Sequence, residues 1–120
     1  MRTLSSILER KRERRKALEE SLAWVVEQLK ALGALKVILF GSLARGDVGP
    51  HSDLDLIAVT PTVLSSREWM NRIYSEVDRG IACDILVYTE ADLQEMFSIS
   101  RFLRHVLKEG EVVYEAASSG

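Results

Sequence analysis

The chain has few cysteines and no long apolar segment. It contains one cysteine, Cys83, which excludes an internal disulfide and a cysteine-based zinc site. No apolar run approaches the length of a transmembrane helix, and the N-terminus has no apolar signal region. We therefore expect a cytoplasmic protein with no membrane association. Cys83 is expected to be a small core residue rather than a nucleophile.

The chain also has no strong excess of positive or negative residues. The formal net charge is −2, so the chain as a whole is not a polycation that seeks nucleic acid. The basic stretch 9–16 (ERKRERRK) is a local exception. It suits contact with RNA or an acidic partner, or it is a solvated helix face with pairs such as Arg15–Glu19. We favour the solvated face, and nucleic-acid binding is not expected.

The hydrophobic pattern predicts an α/β protein with a small mixed sheet and helices packed on it. A length of 120 residues suits a single domain spanning 1–120, with an N-terminal helix in 1–33 and a core in 35–115. The predicted elements are a helix Thr3–Leu32, strands Val37–Phe40 and Ser52–Val59, a helix Arg67–Arg79, a strand Ile81–Tyr88, two short helices, and an edge strand Val112–Tyr114.

Helical spacing assigns one face of each helix to the core. The side chains assigned inward are Leu18, Leu22, Val25, Val26, Leu29 and Leu32, then Trp69, Met70, Ile73 and Val77, then Leu93, Met96 and Phe97, and finally Ile99, Phe102, Leu103, Val106 and Leu107. Trp24 is expected to be a core anchor rather than a platform for nucleic-acid bases.

A Gly-Ser turn follows the first predicted strand. Gly41 permits backbone conformations that a Cβ would block, and Ser42 suits the N-cap of a short helical turn. Backbone N–H groups at such a turn bind anions, phosphates above all. Arg45, in the same turn, either grips a phosphate or pairs with Asp47, and the sequence leaves both open. His51 is expected to be an ordinary loop residue.

Three carboxylates stand at or near the strands that follow. Asp53 and Asp55 are two residues apart, so on a strand they share a face. Asp84 interrupts an apolar run, and a buried aspartate requires a partner. Adjacent carboxylates repel each other, and a divalent cation removes that penalty. Mg²⁺ is bound by one or two carboxylates together with substrate phosphates, and a pair of ions can clamp both oxygens of a phosphoryl transfer.

These residues carry a family resemblance. Gly41-Ser42, ten intervening residues, and Asp53-Leu54-Asp55 match the GS-x10-D-x-D signature of polymerase-β-like nucleotidyltransferases. The segment LFGSLARGDVGPHSDLDLIAV resembles the minimal nucleotidyltransferase branch, whose members are antitoxins paired with HEPN-domain proteins.

The resemblance implies an ATP-dependent enzyme with two Mg²⁺ ions. It implies that Gly41 and Ser42, with Arg45 where that residue grips a phosphate, bind the nucleotide. It further implies that Asp53 and Asp55 hold both metals, and that Asp84 is also a metal ligand, which completes the ion that activates the acceptor hydroxyl. That acceptor is expected to be a tyrosine of a HEPN toxin, whose ribonuclease activity is then silenced.

The sequence leaves alternatives to this enzyme. The chain could be a non-catalytic subunit that binds nucleotide or neutralises its partner by contact alone. All three carboxylates are present, which favours the enzyme. Arg101 and His105 are separated by three residues, fewer than in the HEPN ribonuclease motif, so the chain is not expected to be the toxin. Because the core leaves no room for an acceptor-binding domain, a second copy or a partner chain is expected to complete the site.

Overall fold

A computed structural model describes residues 3–117. The elements in chain order are α1 (Leu4–Leu32), β1 (Lys36–Phe40), α2 (Ser42–Arg45), β2 (Leu54–Thr60), α3 (Ser66–Glu76), β3 (Cys83–Thr89), α4 (Glu90–Phe97), α5 (Arg101–Glu109) and β4 (Glu111–Glu115). The predicted α/β class is confirmed, and the four strands form one sheet in the order β3-β2-β1-β4.

The sheet is mixed because its connections differ in length. β1 pairs antiparallel with β2 and with β4, whereas β2 pairs parallel with β3. The parallel pair requires a crossover, and α3 supplies it. Val37, Ile38 and Leu39 of β1 are all buried, as a strand covered on both faces requires.

Helices cover both faces of the sheet. On one face, α1 and α3 pack through Leu18, Val25, Leu29 and Ile73 against strand residues such as Leu56. On the other face, α5 packs through Leu103 and Val106 against Ile38, Ile57 and Val59, with Leu93 and Met96 of α4 beside them. Alternation along each strand therefore decides which helices a strand residue meets.

Local signals set several helix ends. Gly33 ends α1 in the left-handed conformation at φ 106°, as predicted. Ser65 and Glu68 form the predicted capping box at the start of α3. α3 ends at Glu76 rather than at the predicted Arg79, because Val77 turns to an extended conformation while its N–H still bonds to Ile73.

Four aromatic or long apolar side chains were predicted to lie in the core, and this prediction is wrong. Trp24 is 53% exposed, and Met70, Phe97 and Phe102 are also exposed. Each one neighbours a side chain that does pack inward: Val25, Trp69, Met96 and Leu103. Successive helical residues point about 100° apart, so a narrow buried stripe cannot hold both neighbours. Ile99, also predicted inward, lies before α5 and is exposed.

Within residues 3–117, no helix combines the length and apolarity needed to cross a membrane.

Candidate active site

Three residues form a row across one end of the sheet. The strand registers pair Phe40 with Asp55 and Asp55 with Asp84. Strand alternation turns all three toward the face covered by α4 and α5, because their neighbours Leu39, Leu54 and Ile85 pack on the opposite face. The predicted meeting of Asp55 and Asp84 thus follows from a parallel register without a shift.

Asp53 lies just outside this row. The sequence placed it on the strand with Asp55, but β2 begins at Leu54. The ladder starts there because the Leu54 N–H donates to the carbonyl of Ala82, at 3.0 Å. Asp53 is therefore an exposed loop residue beside the end of the strand. Because it is outside β2, strand alternation does not determine the direction of its side chain.

A residue of α1 reaches this loop. The Nε of Arg14 donates to the carbonyl oxygen of Ser52 at 2.8 Å. Its Nη2 lies 3.9 Å from Oδ1 of Asp53. Sequence analysis missed this role because Arg14 is one of several cations in the basic stretch 9–16. Its half-buried position distinguishes it from Arg12, which is exposed.

Asp84 is not the buried carboxylate that the sequence predicted. Its side chain is exposed, because β3 is an edge strand and Asp84 is the second residue of it. Its position therefore does not require a partner to offset burial. What brings Asp84 to the site is the cross-strand register with Asp55.

The electrostatics of the row centre on Asp55. Burial raises the pKa of Asp55 above its ordinary value of 3.8, and the nearby charges of Asp84 and Asp53 raise it further. The guanidinium of Arg45 acts in the opposite direction. The ionised form of Asp55 is thus disfavoured unless a cation lies beside it, as expected at a cation-binding site.

The Gly-Ser turn lies against Asp55. Gly41 has φ 80°, and a Cβ at this position would overlap Oδ2 of Asp55. Gly41, rather than the predicted Ser42, is the N-cap residue, and Ser42 is the first residue of α2. Glycine is needed here for its conformation and for the close approach of the carboxylate.

Arg45 pairs with Asp47, one of the two roles the sequence left open for it. Its Nε lies 3.3 Å from Oδ2 of Asp47, and both side chains are exposed. An exposed pair of this kind contributes at most about 1 kcal/mol, so it leaves the guanidinium free to turn to an incoming phosphate.

A cleft of about 810 Å³ opens between the Gly-Ser turn and α5. We call it the α2–α5 cleft; its lining includes Gly41, Ser42, Arg45, Asp53, Asp55, Phe102, His105 and Glu109. The α5 residues of this lining were not predicted as site residues. A second cavity, of about 480 Å³, lies on the other side of Asp53 and is lined by Tyr74, Arg79 and Asp84. Asp53 therefore lines both the α2–α5 cleft and this second cavity.

Cys83 is a buried core residue, as predicted. Burial raises the pKa of its thiol to about 12. The protonated thiol is the less reactive form of cysteine.

The carboxylates suit a hard divalent cation by their chemistry. Mg²⁺ prefers oxygen ligands and uses few protein carboxylates. In the part of the chain from Thr3 to Ala117, no three His, Cys, Asp or Glu side chains are already gathered at metal-binding geometry. Asp53 and Asp84 are both exposed, so their side chains can rotate toward an ion beside Asp55.

Comparison with known proteins decides the family. Residues 26–119 match the family model described as polymerase beta, nucleotidyltransferase. The chain belongs to this family. A nucleotidyltransferase of this family transfers a nucleoside monophosphate and generally uses divalent metal ions. The matched segment begins within α1, so Arg14 lies outside it.

The fold has a counterpart among solved structures. A candidate nucleotidyltransferase from Sulfolobus solfataricus superimposes with a TM-score of 0.60 over 96% of this chain and 92% of that chain. The two sequences are 20% identical, so this similarity bears on the fold alone. No curated protein matches the sequence.

Proposed function

We propose that this nucleotidyltransferase moves AMP from ATP to a hydroxyl group of a partner protein, with two Mg²⁺ ions. The observation that carries the proposal is the register that sets Asp55 beside Asp84 and next to the Gly41 turn. This arrangement places a destabilised carboxylate cluster directly against the segment proposed to bind phosphate. A triphosphate with its cations would offset the repulsion that raises the pKa of Asp55.

Each residue of the cluster has a proposed role. Ser42 and the backbone N–H groups of the turn orient the triphosphate, and Arg45 leaves Asp47 to hold a phosphate oxygen. Asp53 and Asp55 hold the metals, and Asp84 completes the site on the acceptor side. When bound, the ions would neutralise charge on the phosphates and lower the pKa of the acceptor hydroxyl.

The transfer itself is a single displacement. The acceptor oxygen forms a bond to the α-phosphorus, and the bond from that phosphorus to the bridging oxygen of pyrophosphate breaks. The hydroxyl proton passes to the carboxylate of Asp84, which acts as a general base, and pyrophosphate leaves with the bonding electrons. The cavity beside Asp84 gives the acceptor a route to the cluster that does not cross the α2–α5 cleft.

The acceptor we propose is a tyrosine of a HEPN-domain toxin, which makes this chain an antitoxin. The support for this assignment is the resemblance of the segment around Gly41 to Val59 to minimal nucleotidyltransferases. A tyrosine carries its hydroxyl at the far end of its aromatic ring, so the hydroxyl can enter an open cavity from a protein surface.

A second candidate function is neutralisation of the partner by contact alone. One observation favours it: Asp53 pairs with Arg14, a protein cation that occupies the place of a metal ion. In that case the carboxylates have no catalytic role, and substitutions that remove their charge leave the complex and its effect intact.

The experiment is a transfer assay with α-³²P-ATP and Mg²⁺, run with and without the protein encoded beside this chain. The variants are Asp53→Asn and the double substitution Asp53→Asn with Asp55→Asn. Glu95→Gln is the matched control, because Glu95 is an exposed carboxylate on α4 outside both cavities.

The outcomes separate the two functions. Label on the neighbouring protein that disappears in both aspartate variants and persists in Glu95→Gln supports the enzyme and identifies the acceptor. A tight complex without label, unaffected by the double substitution, supports neutralisation by contact. Normal transfer in the double variant contradicts the metal assignment to Asp53 and Asp55.

A further inference from the structure

Phe102 is an aromatic side chain placed at the cleft rather than in the core. It is 53% exposed, although its neighbour Leu103 is fully buried. Its ring meets the ring of Phe40 edge to face, with centroids 6.0 Å apart and planes at 80°. This contact orients the Phe102 ring against Phe40, and the exposed part of Phe102 lines the α2–α5 cleft.

The helix that carries Phe102 is rigidly placed. Leu103 and Val106 anchor α5 in the core cluster with Ile38 and Ile57. Ser100 caps its start by accepting a hydrogen bond from the Leu103 N–H at 3.1 Å. The helix backbone that carries the aromatic ring is therefore in place before any ligand arrives, which lowers the entropic penalty of binding there.

The ring pair is continuous with the phosphate-binding turn. Phe40 directly precedes Gly41, and both line the same cleft. At about 810 Å³, the cleft is within the usual size range of small-ligand sites. A nucleotide whose triphosphate lies at Gly41 and Ser42 therefore has room to extend along this cleft toward Phe40, Phe102 and α5.

We propose that Phe102 is the stacking platform for the purine base of the nucleotide. His105 and Glu109 follow on α5 and line the cleft beside it. An imidazole that donates and a carboxylate that accepts suit the mixed donor and acceptor edge of a purine. This inference rests on the proposed function, because it assumes that the triphosphate lies at the Gly-Ser turn.

The test separates base contacts from phosphate contacts. Calorimetry with Mg²⁺ measures the affinity for ATP and for inorganic tripolyphosphate, which lacks a base. Phe102→Ala should weaken ATP binding about 5- to 150-fold, the range expected for loss of one base–aromatic stack. Tripolyphosphate affinity should change by less than about twofold, because the phosphate contacts are intact. Phe102→Trp keeps an aromatic face and should retain ATP binding.

Phe97→Ala is the matched control. Phe97 is 47% exposed, comparable to Phe102, but lies on α4 and does not line the cleft. This variant should bind both ligands as the parent chain does. Because both phenylalanines are exposed, neither truncation should prevent folding.

The remaining outcomes overturn the proposal in distinguishable ways. Equal loss of ATP and tripolyphosphate in Phe102→Ala contradicts a base contact, as does unchanged ATP affinity. If the parent chain binds tripolyphosphate as tightly as ATP, no base subsite exists, although the phosphate site stands. If it binds neither, both the base subsite and the proposed function fail. Normal nucleotide affinity with a weakened partner complex assigns Phe102 to a protein interface instead.

Discussion

Asp55 and Asp84 are register partners on adjacent parallel strands, with both side chains on the same face of the sheet. Neighbouring strands lie about 4.8 Å apart, so the two side chains start from adjacent positions and their negative charges repel each other. Asp84 is accordingly one of the charges that raise the pKa of Asp55, after burial itself. The folded chain therefore holds unfavourable electrostatic energy at the place where the proposed reaction needs a cation.

Asp55→Asn should stabilise the metal-free protein at neutral pH. The pKa of Asp55 is higher in the folded chain than its ordinary value of 3.8. The folded state thus binds a proton over a range where the unfolded chain has lost it, and the free energy of unfolding falls as pH rises through that range. The parent chain should lose stability relative to Asp55→Asn from about pH 4 upward, until Asp55 is ionised in the folded state.

Melting temperatures measured in EDTA from about pH 4 to about pH 8 check this expectation. Glu95→Gln removes an exposed charge outside the cluster and should follow the parent chain. A parent chain that gains stability relative to Asp55→Asn as the pH rises would show that Asp55 has a favourable partner.

Asp84→Asn should separate chemistry from nucleotide binding. Asp84 lines the cavity beside the cluster and not the α2–α5 cleft. Its loss should lower kcat by about 100-fold or more, since even outer partners of metal ligands contribute about 10- to 100-fold. The KM for ATP should stay nearly constant, whereas Asp53→Asn should impair both constants. Steady-state kinetics of labelled transfer give the comparison; an equal rise in KM for both variants would place Asp84 in the nucleotide site.

The sequence predicted which residues lie together better than it predicted the position of each one in the fold. Gly41, Asp55 and Asp84 were singled out because a Gly-Ser turn and lone charges in apolar runs are visible without coordinates, and the structure brings these three together. The argument for Asp84 was nevertheless wrong in part, since it assumed burial and the residue is exposed on an edge strand. An apolar pattern does not distinguish an edge strand from a central one at its first residues.

Two contributors lay beyond the reach of sequence patterns. Arg14 contacts Ser52, 38 positions away, and nothing in the run 9–16 singles it out among its basic neighbours. Phe102 was assigned to the core because periodicity identifies a face but not its width. Only the packing of Leu103 and Val106 shows that the buried stripe of α5 is narrow and that Phe102 lies outside it.

Gly41→Ala should damage both the fold and the site, unlike Gly49→Ala. At Gly41, φ is 80° and a Cβ would overlap the carboxylate of Asp55. The conformational penalty alone is about 1–3 kcal/mol, before Asp55 is displaced. At Gly49 the nearest atom to a new Cβ is Ser52 Oγ, at an ordinary 3.6 Å. Gly41→Ala should therefore lower both the free energy of unfolding, measured with denaturant, and the affinity for ATP, whereas Gly49→Ala should keep the values of the parent chain. Similar values for the two variants would argue against a close approach of Asp55 to Gly41.

Arg14 acts on Asp53 by two effects of opposite sign. Its hydrogen bond to the Ser52 carbonyl, at 2.8 Å, holds the loop that carries Asp53. Its positive charge, 3.9 Å from Asp53 Oδ1, opposes a second cation. The ion pair is partly exposed and contributes at most about 1 kcal/mol, so we expect the positioning effect to dominate.

Arg14→Ala should therefore weaken Mn²⁺ binding, measured by electron paramagnetic resonance, and slow transfer by about 10-fold. Arg14→Lys keeps the charge but loses the planar Nε donor, so it should behave like Arg14→Ala if loop positioning dominates. Arg12→Ala removes an exposed cation from the same helix and should bind Mn²⁺ as the parent chain does. A different result would contradict this expectation: Arg14→Ala tightens Mn²⁺ binding while Arg14→Lys leaves it unchanged. In that case the positive charge of Arg14 competes with the metal, and this competition outweighs the positioning of the loop.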